Sequence, residues 1–199
     1  REVRGLAVMM ERLEQEQDPV LVELAGYAAM RTRDPRGAPA LRDRADRESD
    51  SALKAKLIVY AARLADDQRL LPWLRTGVAS GEPWRQVGSG VALLHIGRVE
   101  GGDALLRLAD RLPPEARVFG LTELRELAKP MAAAVGDVLV AADPVDAEGP
   151  RSALKTFWDR HGRTELLCDV LERLGRTDSD WHEVERLLHA RGRVARWVD

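Results

Sequence analysis

Four helix-start signals recur at a nearly fixed spacing along this chain. Asp18-Pro19, Asp50-Ser51, Glu82-Pro83 and Pro113-Pro114 stand 32, 32 and 31 residues apart. Proline suits the first position of a helix because it has no N–H to leave unpaired there, and an acidic or Ser residue just before it can cap the free N–H groups. A fifth start lies near Gly149-Pro150-Arg151-Ser152, after a longer loop around Ala142 to Asp146. Fixed periods of this size mark stacked helical hairpins, each unable to bury its apolar stripe alone. The spacing predicts an all-α chain of about five antiparallel hairpins with starts near residues 19, 51, 83, 114 and 152. A non-repeating helical bundle is the alternative.

The pattern inside each period agrees. The third unit has a first helix at Trp84 to Ile96, a break from Gly97 to Asp103 with Gly101-Gly102 as a turn, and a second helix at Ala104 to Leu112. Val87, Val91 and Leu94 make one stripe, and Leu105, Leu108 and Leu112 another. The second unit runs Leu53 to Leu64, turns at Asp66-Asp67 and continues through Leu70 to Leu74. The first runs Val20 to Met30, turns between Arg33 and Gly37, and resumes at Ala40-Leu41. The fourth spans Ala116 to Leu127 and Met131 to Val140, and the fifth Leu154 to Trp158 and Leu166 to Leu174. Residues 1–17 read as an N-terminal capping helix with Leu6, Met9, Met10 and Leu13 inward. Residues 19–142 read as repeats one to four, and 150–199 as the fifth repeat and a C-terminal cap, the whole of 1–199 forming one domain.

Composition supports helices. Leu, Ala, Arg and Glu are strong helix formers, while two Tyr and two Phe leave strands without their usual aromatic supply. Basic and acidic residues number 31 and 33. A protein gripping nucleic acid by its phosphates carries a basic excess, so nucleic acid is not the expected partner. No apolar run is long enough to span a bilayer, and no signal-peptide pattern is present. The single cysteine, Cys168, has no partner for an internal disulfide, which fits a reducing, cytoplasmic compartment. The chain begins at Arg1 rather than Met, leaving an excised domain and an exported, processed chain as alternatives.

The run Ala92-Leu93-Leu94-His95-Ile96-Gly97 followed by Gly102-Asp103-Ala104-Leu105-Leu106 resembles the HEAT-like repeat of the phycobilin-lyase type. That repeat has an Ala-rich first helix, a Gly near its end, a short acidic or Gly turn and an Ala-Leu-Leu second helix. The resemblance covers Pro19 to Leu112 and weakens from Pro114, where the turn degrades to Leu127-Ala128-Lys129-Pro130. It implies a right-handed α-solenoid, and it carries no catalytic residues because the family is defined by packing positions.

The residues that could carry chemistry have plainer readings. His182-Glu183 resembles the start of a zinc-protease motif, but Arg occupies position 186 and the next histidine is His189, so the ligand spacing fails. His95 reads as a core or inter-repeat hydrogen-bonding residue. Cys168 and His161 are two helical turns apart, too far for a nucleophile and its base. Gly88-Ser89-Gly90 has neither the preceding strand nor the Lys-Ser or Lys-Thr of a phosphate loop. It reads as small residues that let two helices approach. The alternating run Arg42 to Glu48 reads as a solvated helix face with local ion pairs. No catalytic residue, metal site or cofactor is expected.

The function expected is a non-catalytic, protein-binding scaffold or adaptor that uses the concave, second-helix face. Arg69 and Trp73 lie four apart, and Arg107 and Arg111 repeat that spacing one unit later. An Arg-rich patch with one aromatic suits another protein, in particular an acidic segment. Trp73 has a competing reading as a packing residue between repeats. The alternatives from other classes are a HEAT-like enzyme acting on DNA in the manner of a glycosylase, and a bilin-lyase-like protein, the latter suggested by the resemblance alone.

Overall fold

The computed structural model describes residues 2–65, 68–124, 126, 127, 169, 170, 173 and 174. Among these the chain is all helical, with no strand. It divides into two compact units, Arg1–Ile96 and Gly97–Asp199. The expected second half of the fourth hairpin, the fifth hairpin and the C-terminal segments lie outside the described residues, as do Cys168, His161, His182 and His189.

The first unit holds α1 (Glu2–Gln15), α2 (Pro19–Arg31), α3 (Ala38–Arg47), α4 (Ser51–Leu64), α5 (Leu71–Val78) and α6 (Pro83–His95), with 3-10 turns at Pro35–Gly37 and Gln68–Leu70. The starts at 19, 51 and 83 are those of the sequence period, and a further helical stretch begins at 114. The Asp18 carboxylate accepts the Val20 N–H, and Asp50 accepts those of Ala52 and Leu53, so each satisfies donors that have no partner within the helix. Glu82 caps nothing by its side chain. Its carboxylate instead takes the Ser51 hydroxyl at 3.4 Å and the Lys54 ammonium at 3.2 Å.

Helices α2, α4 and α6 run side by side in the same direction. Between α2 and α4, Lys56 pairs with Glu23 at 2.7 Å, and Tyr60 meets Tyr27 edge-on with centroids 6.1 Å apart. Between α4 and α6, Ser51 meets Glu82 near the helix starts, and the Arg63 Nε donates to His95 Nε2 at 3.4 Å near the ends. Partners in these contacts are 31 to 33 residues apart in sequence. The middle helix, α4, is therefore covered on both sides, and Leu57 to Ala62 are all buried. A helix apolar almost all round needs such a position. Its two lysines reach opposite neighbours, Lys54 to α6 and Lys56 to α2.

Small residues set how closely these helices pack. A Cβ at Gly88 would stand 2.9 Å from the Ala55 Cα, and one at Gly26 would stand 2.8 Å from Leu57 Cδ2. The close-packing reading of Gly88-Ser89-Gly90 is what the helix pair displays. The expected stripes are inward: Leu6, Leu13, Leu70, Leu74, Val87, Val91 and Leu94 are buried, and Met9, Met10, Leu71 and Val78 pack against the core that holds Leu6, Leu13, Leu70 and Leu74.

Three expectations need correction. The alternating run from Arg42 is not wholly a solvated face. Arg44 and Glu48 are buried, with Arg44 Nη2 at 2.8 Å from Glu48 Oε2 and Nη1 donating to the Glu16 carbonyl at 2.8 Å. One turn apart, the two side chains lie on the inner side of α3, where the orphan carbonyl after α1 needs a donor. Gly101-Gly102 is not a turn; both are buried in the first turn of α7 (Glu100–Leu108), where the lack of a side chain saves space. Consequently the second helix of the third unit starts earlier than Ala104 and ends at Leu108 rather than Leu112.

Candidate functional site

The 3-10 turn at Pro35–Gly37 and the one at Gln68–Leu70 face each other across a concavity of about 540 Å³ in the first unit. Its floor is apolar, made by the buried Ala38, Ala65 and Leu70, with Pro35 and Pro39 beside them. Arg36, Arg42 and Arg69 line it. Arg69 thus comes from the turn before α5 rather than from α5 itself, because the 3-10 segment ends at Leu70 and Pro72 sits in the first turn of the helix.

Two of these guanidinium groups are held by acids close in sequence. Asp34 caps the 3-10 turn through the Arg36 N–H and accepts from Arg36 Nε at 2.9 Å. Those bonds and the guanidinium charge draw its carboxyl down to about 2, so Asp34 is anionic at any ordinary pH. Arg42 bonds Asp43 Oδ1 at 3.0 Å. The concavity therefore has three guanidinium groups around an apolar floor, with those of Arg36 and Arg42 already paired to acids of the same chain.

Trp73 has a different neighbourhood. It is half-buried against the core of the first unit, and its indole N–H donates to both Asp46 oxygens, at 3.0 and 3.1 Å. Arg85 on α6 reaches the same carboxylate at 3.1 Å. One acid on α3 so ties α5 and α6 together, and Trp73 acts as a strut in that junction. Pairing across distant sequence is what the run from Arg42 to Glu48 conceals, since Asp46 looks like one more surface charge there.

Arg107 and Arg111 belong to the second unit. Arg107 is exposed in the last turn of α7, and Arg111 is exposed beyond the helix end, its N–H bonded to the Leu108 carbonyl at 2.8 Å. Spacing of four therefore does not place this pair on one helical face. Asp110 in the same turn pairs with Arg173.

Among the described residues no group of three His, Cys, Asp or Glu side chains could hold a metal ion, and no helix is long and apolar enough to cross a membrane. Comparison with protein-family models, with curated proteins and with solved structures gives no match to this chain.

Proposed function

We propose that this protein is a non-catalytic, protein-binding scaffold, built as a right-handed HEAT-like α-solenoid, whose arginine-lined concavity receives a carboxylate-bearing segment of another protein. The observation that carries the reading is the placing of Arg69 with Arg36 and Arg42 over the apolar floor of Ala38, Ala65 and Leu70. An arginine fork bonds a carboxylate by two parallel N–H···O contacts, and the adjoining apolar floor favours a neighbouring aliphatic or aromatic side chain. The helical-repeat part of the reading is supported by α2, α4 and α6 lying parallel at a register equal to the sequence period. Arg107 and Arg111 enter as a second basic site on the other unit, and Trp73 enters as the residue that fixes α5, on which the Arg69 turn is mounted.

The experiment is a pull-down with the immobilised chain, followed by titration of the captured protein against Arg69→Ala, Arg107→Ala and Trp73→Ala. Truncating a hot-spot residue costs at least about 2 kcal/mol, roughly thirtyfold in affinity. Arg69→Ala is expected to reach that loss with its helical circular dichroism intact. Unchanged affinity in both arginine variants would refute the proposal.

A further inference from the structure

Helix α2 carries large apolar side chains that its own unit leaves about half or more exposed, with Tyr27 also meeting Tyr60 edge-on. Val20 is 64% exposed, Leu24 58%, Leu21 48% and Tyr27 46%. Positions 20, 24 and 27 fall on one face of a helix, and Leu21 adjoins them. Elsewhere in the unit part of the same face is covered. One period on from Tyr27 stands Val59 on α4, and two periods on stands Val91 on α6, both fully buried. The stripe is thus a helix-packing face left bare, and contiguous exposed apolar surface of this kind marks an interaction site.

Two features select what covers it. A parallel helix laid as α4 lies against α6 would meet Leu24 where α6 has Gly88, whose missing Cβ is what lets that pair close. The stripe is also nearly self-complementary about Leu24. Its ends carry opposite charges, the exposed Asp18 at the start of α2 and the exposed Arg31 at its last residue. In an antiparallel pair crossing at Leu24, Leu21 of one copy faces Tyr27 of the other, and the acidic Asp18 end of each helix lies beside the basic Arg31 end of its partner, one residue off direct register. A two-fold interface requires such a patch, in which residue i meets j and j meets i.

We propose that the exposed face of α2 is the interface of a two-fold homodimer, with the α2 helices antiparallel and Leu24 at the axis. This is independent of the concavity at Arg69. A single helix face is smaller than the roughly 800 Å² per partner of a standard interface, so the association belongs in the micromolar range.

Light-scattering or sedimentation mass of the full chain across a micromolar concentration series tests it. The expected result is a rise from 22.1 kDa towards twice that mass. Leu24→Glu, at an exposed position, should stay monomeric with its helical signal unchanged. Val118→Glu, at an exposed apolar position on the other unit, should dimerise as the parent does. In a Cys168→Ser background, Leu24→Cys should link to itself under mild oxidation, because the two-fold axis brings the thiols together, and Val118→Cys should not. Arg31→Ala should weaken the dimer several-fold at low salt by removing both end contacts. A monomer at every concentration, a dimer that persists in Leu24→Glu, or tighter association of Arg31→Ala, which would mean parallel helices with facing arginines, overturns the proposal.

Discussion

Gly88 sits against the backbone of Ala55: a methyl group at position 88 would stand 2.9 Å from the Ala55 Cα and 3.1 Å from its carbonyl oxygen. In a helix interior, replacing Gly by Ala ordinarily gains about 0.5–1 kcal/mol. Here the obstacle is backbone, which cannot rotate away, so Gly88→Ala must push α6 off α4. The expected net effect is destabilisation by about 1–3 kcal/mol, the range for overpacking, read as a lower midpoint in urea. A midpoint equal to or above the parent's would show that the two helices part at no cost.

The buried pair Arg44 and Glu48 makes a second test. Arg44→Ala leaves Glu48 with a buried, unpaired charge and the Glu16 carbonyl without its donor. Breaking one partner of a buried pair costs about 3–5 kcal/mol. Replacing both by Met should cost far less, because no charge is stranded. Equal losses in the single and double variants would mean that packing, not charge, is what the pair supplies.

The same site has a pH signature. Burial pushes the Glu48 carboxyl up, but the Asp50 N–H, the Arg44 guanidinium and the Ser49 N–H outweigh it, and the net shift is below the ordinary glutamate value of 4.5. A group depressed in the folded state contributes stability above its unfolded value and loses it as pH falls through its folded one. The parent should therefore lose stability on acidification below about 4.5 more steeply than Glu48→Gln does. Parallel curves of stability against pH for the two proteins would remove Glu48 from the account of acid unfolding.

Arg33 and Gly97 both have left-handed backbone, with φ of 56° and 75°, just beyond the ends of α2 and α6. That conformation crowds a Cβ and costs an L-residue about 1–2 kcal/mol. Arg33→Gly should raise the thermal midpoint and Gly97→Ala should lower it, each by about 1 kcal/mol in stability. Shifts of the same sign in the two variants would contradict the assignment.

Trp73→Phe keeps most of the ring packing and removes the N–H that Asp46 accepts. A hydrogen bond to a charged group is worth about 1.5–3 kcal/mol. Arg85, which remains on the Asp46 carboxylate, should hold the loss to the lower end, and the fold should survive. A loss no larger in Trp73→Phe than in Asp46→Asn would be expected from one shared interaction. Loss of all helical signal in Trp73→Phe would mean that the ring size itself is what the junction requires.

The period of 31 to 32 residues was legible because helix starts are local. A capping Asp or a proline at the first position sets a helix N-terminus whatever lies around it, and α2, α4 and α6 begin at positions 19, 51 and 83 accordingly, α6 on Pro83 without a side-chain cap. Inward stripes were legible for a similar reason, since Val87, Val91 and Leu94 must share a face of any helix that contains them. Side-chain charge partners were not legible. Asp46, Glu48 and Arg44 sit in a run that reads as surface, and only the approach of α1, α5 and α6 decides that one binds Trp73 and Arg85 while the other two are buried together. Gly101 and Gly102 were misleading because glycine signals a turn by its backbone freedom but also fits a helix where space is short. The bare stripe on α2 lay beyond the sequence as well: Val20, Leu24 and Tyr27 have the same apolar pattern as covered faces, and exposure depends on whether a neighbouring helix is there. Local capping and periodicity fix where helices start and which way they face. Which polar groups are paired, and which apolar faces are left open, depends on contacts between residues far apart in the chain.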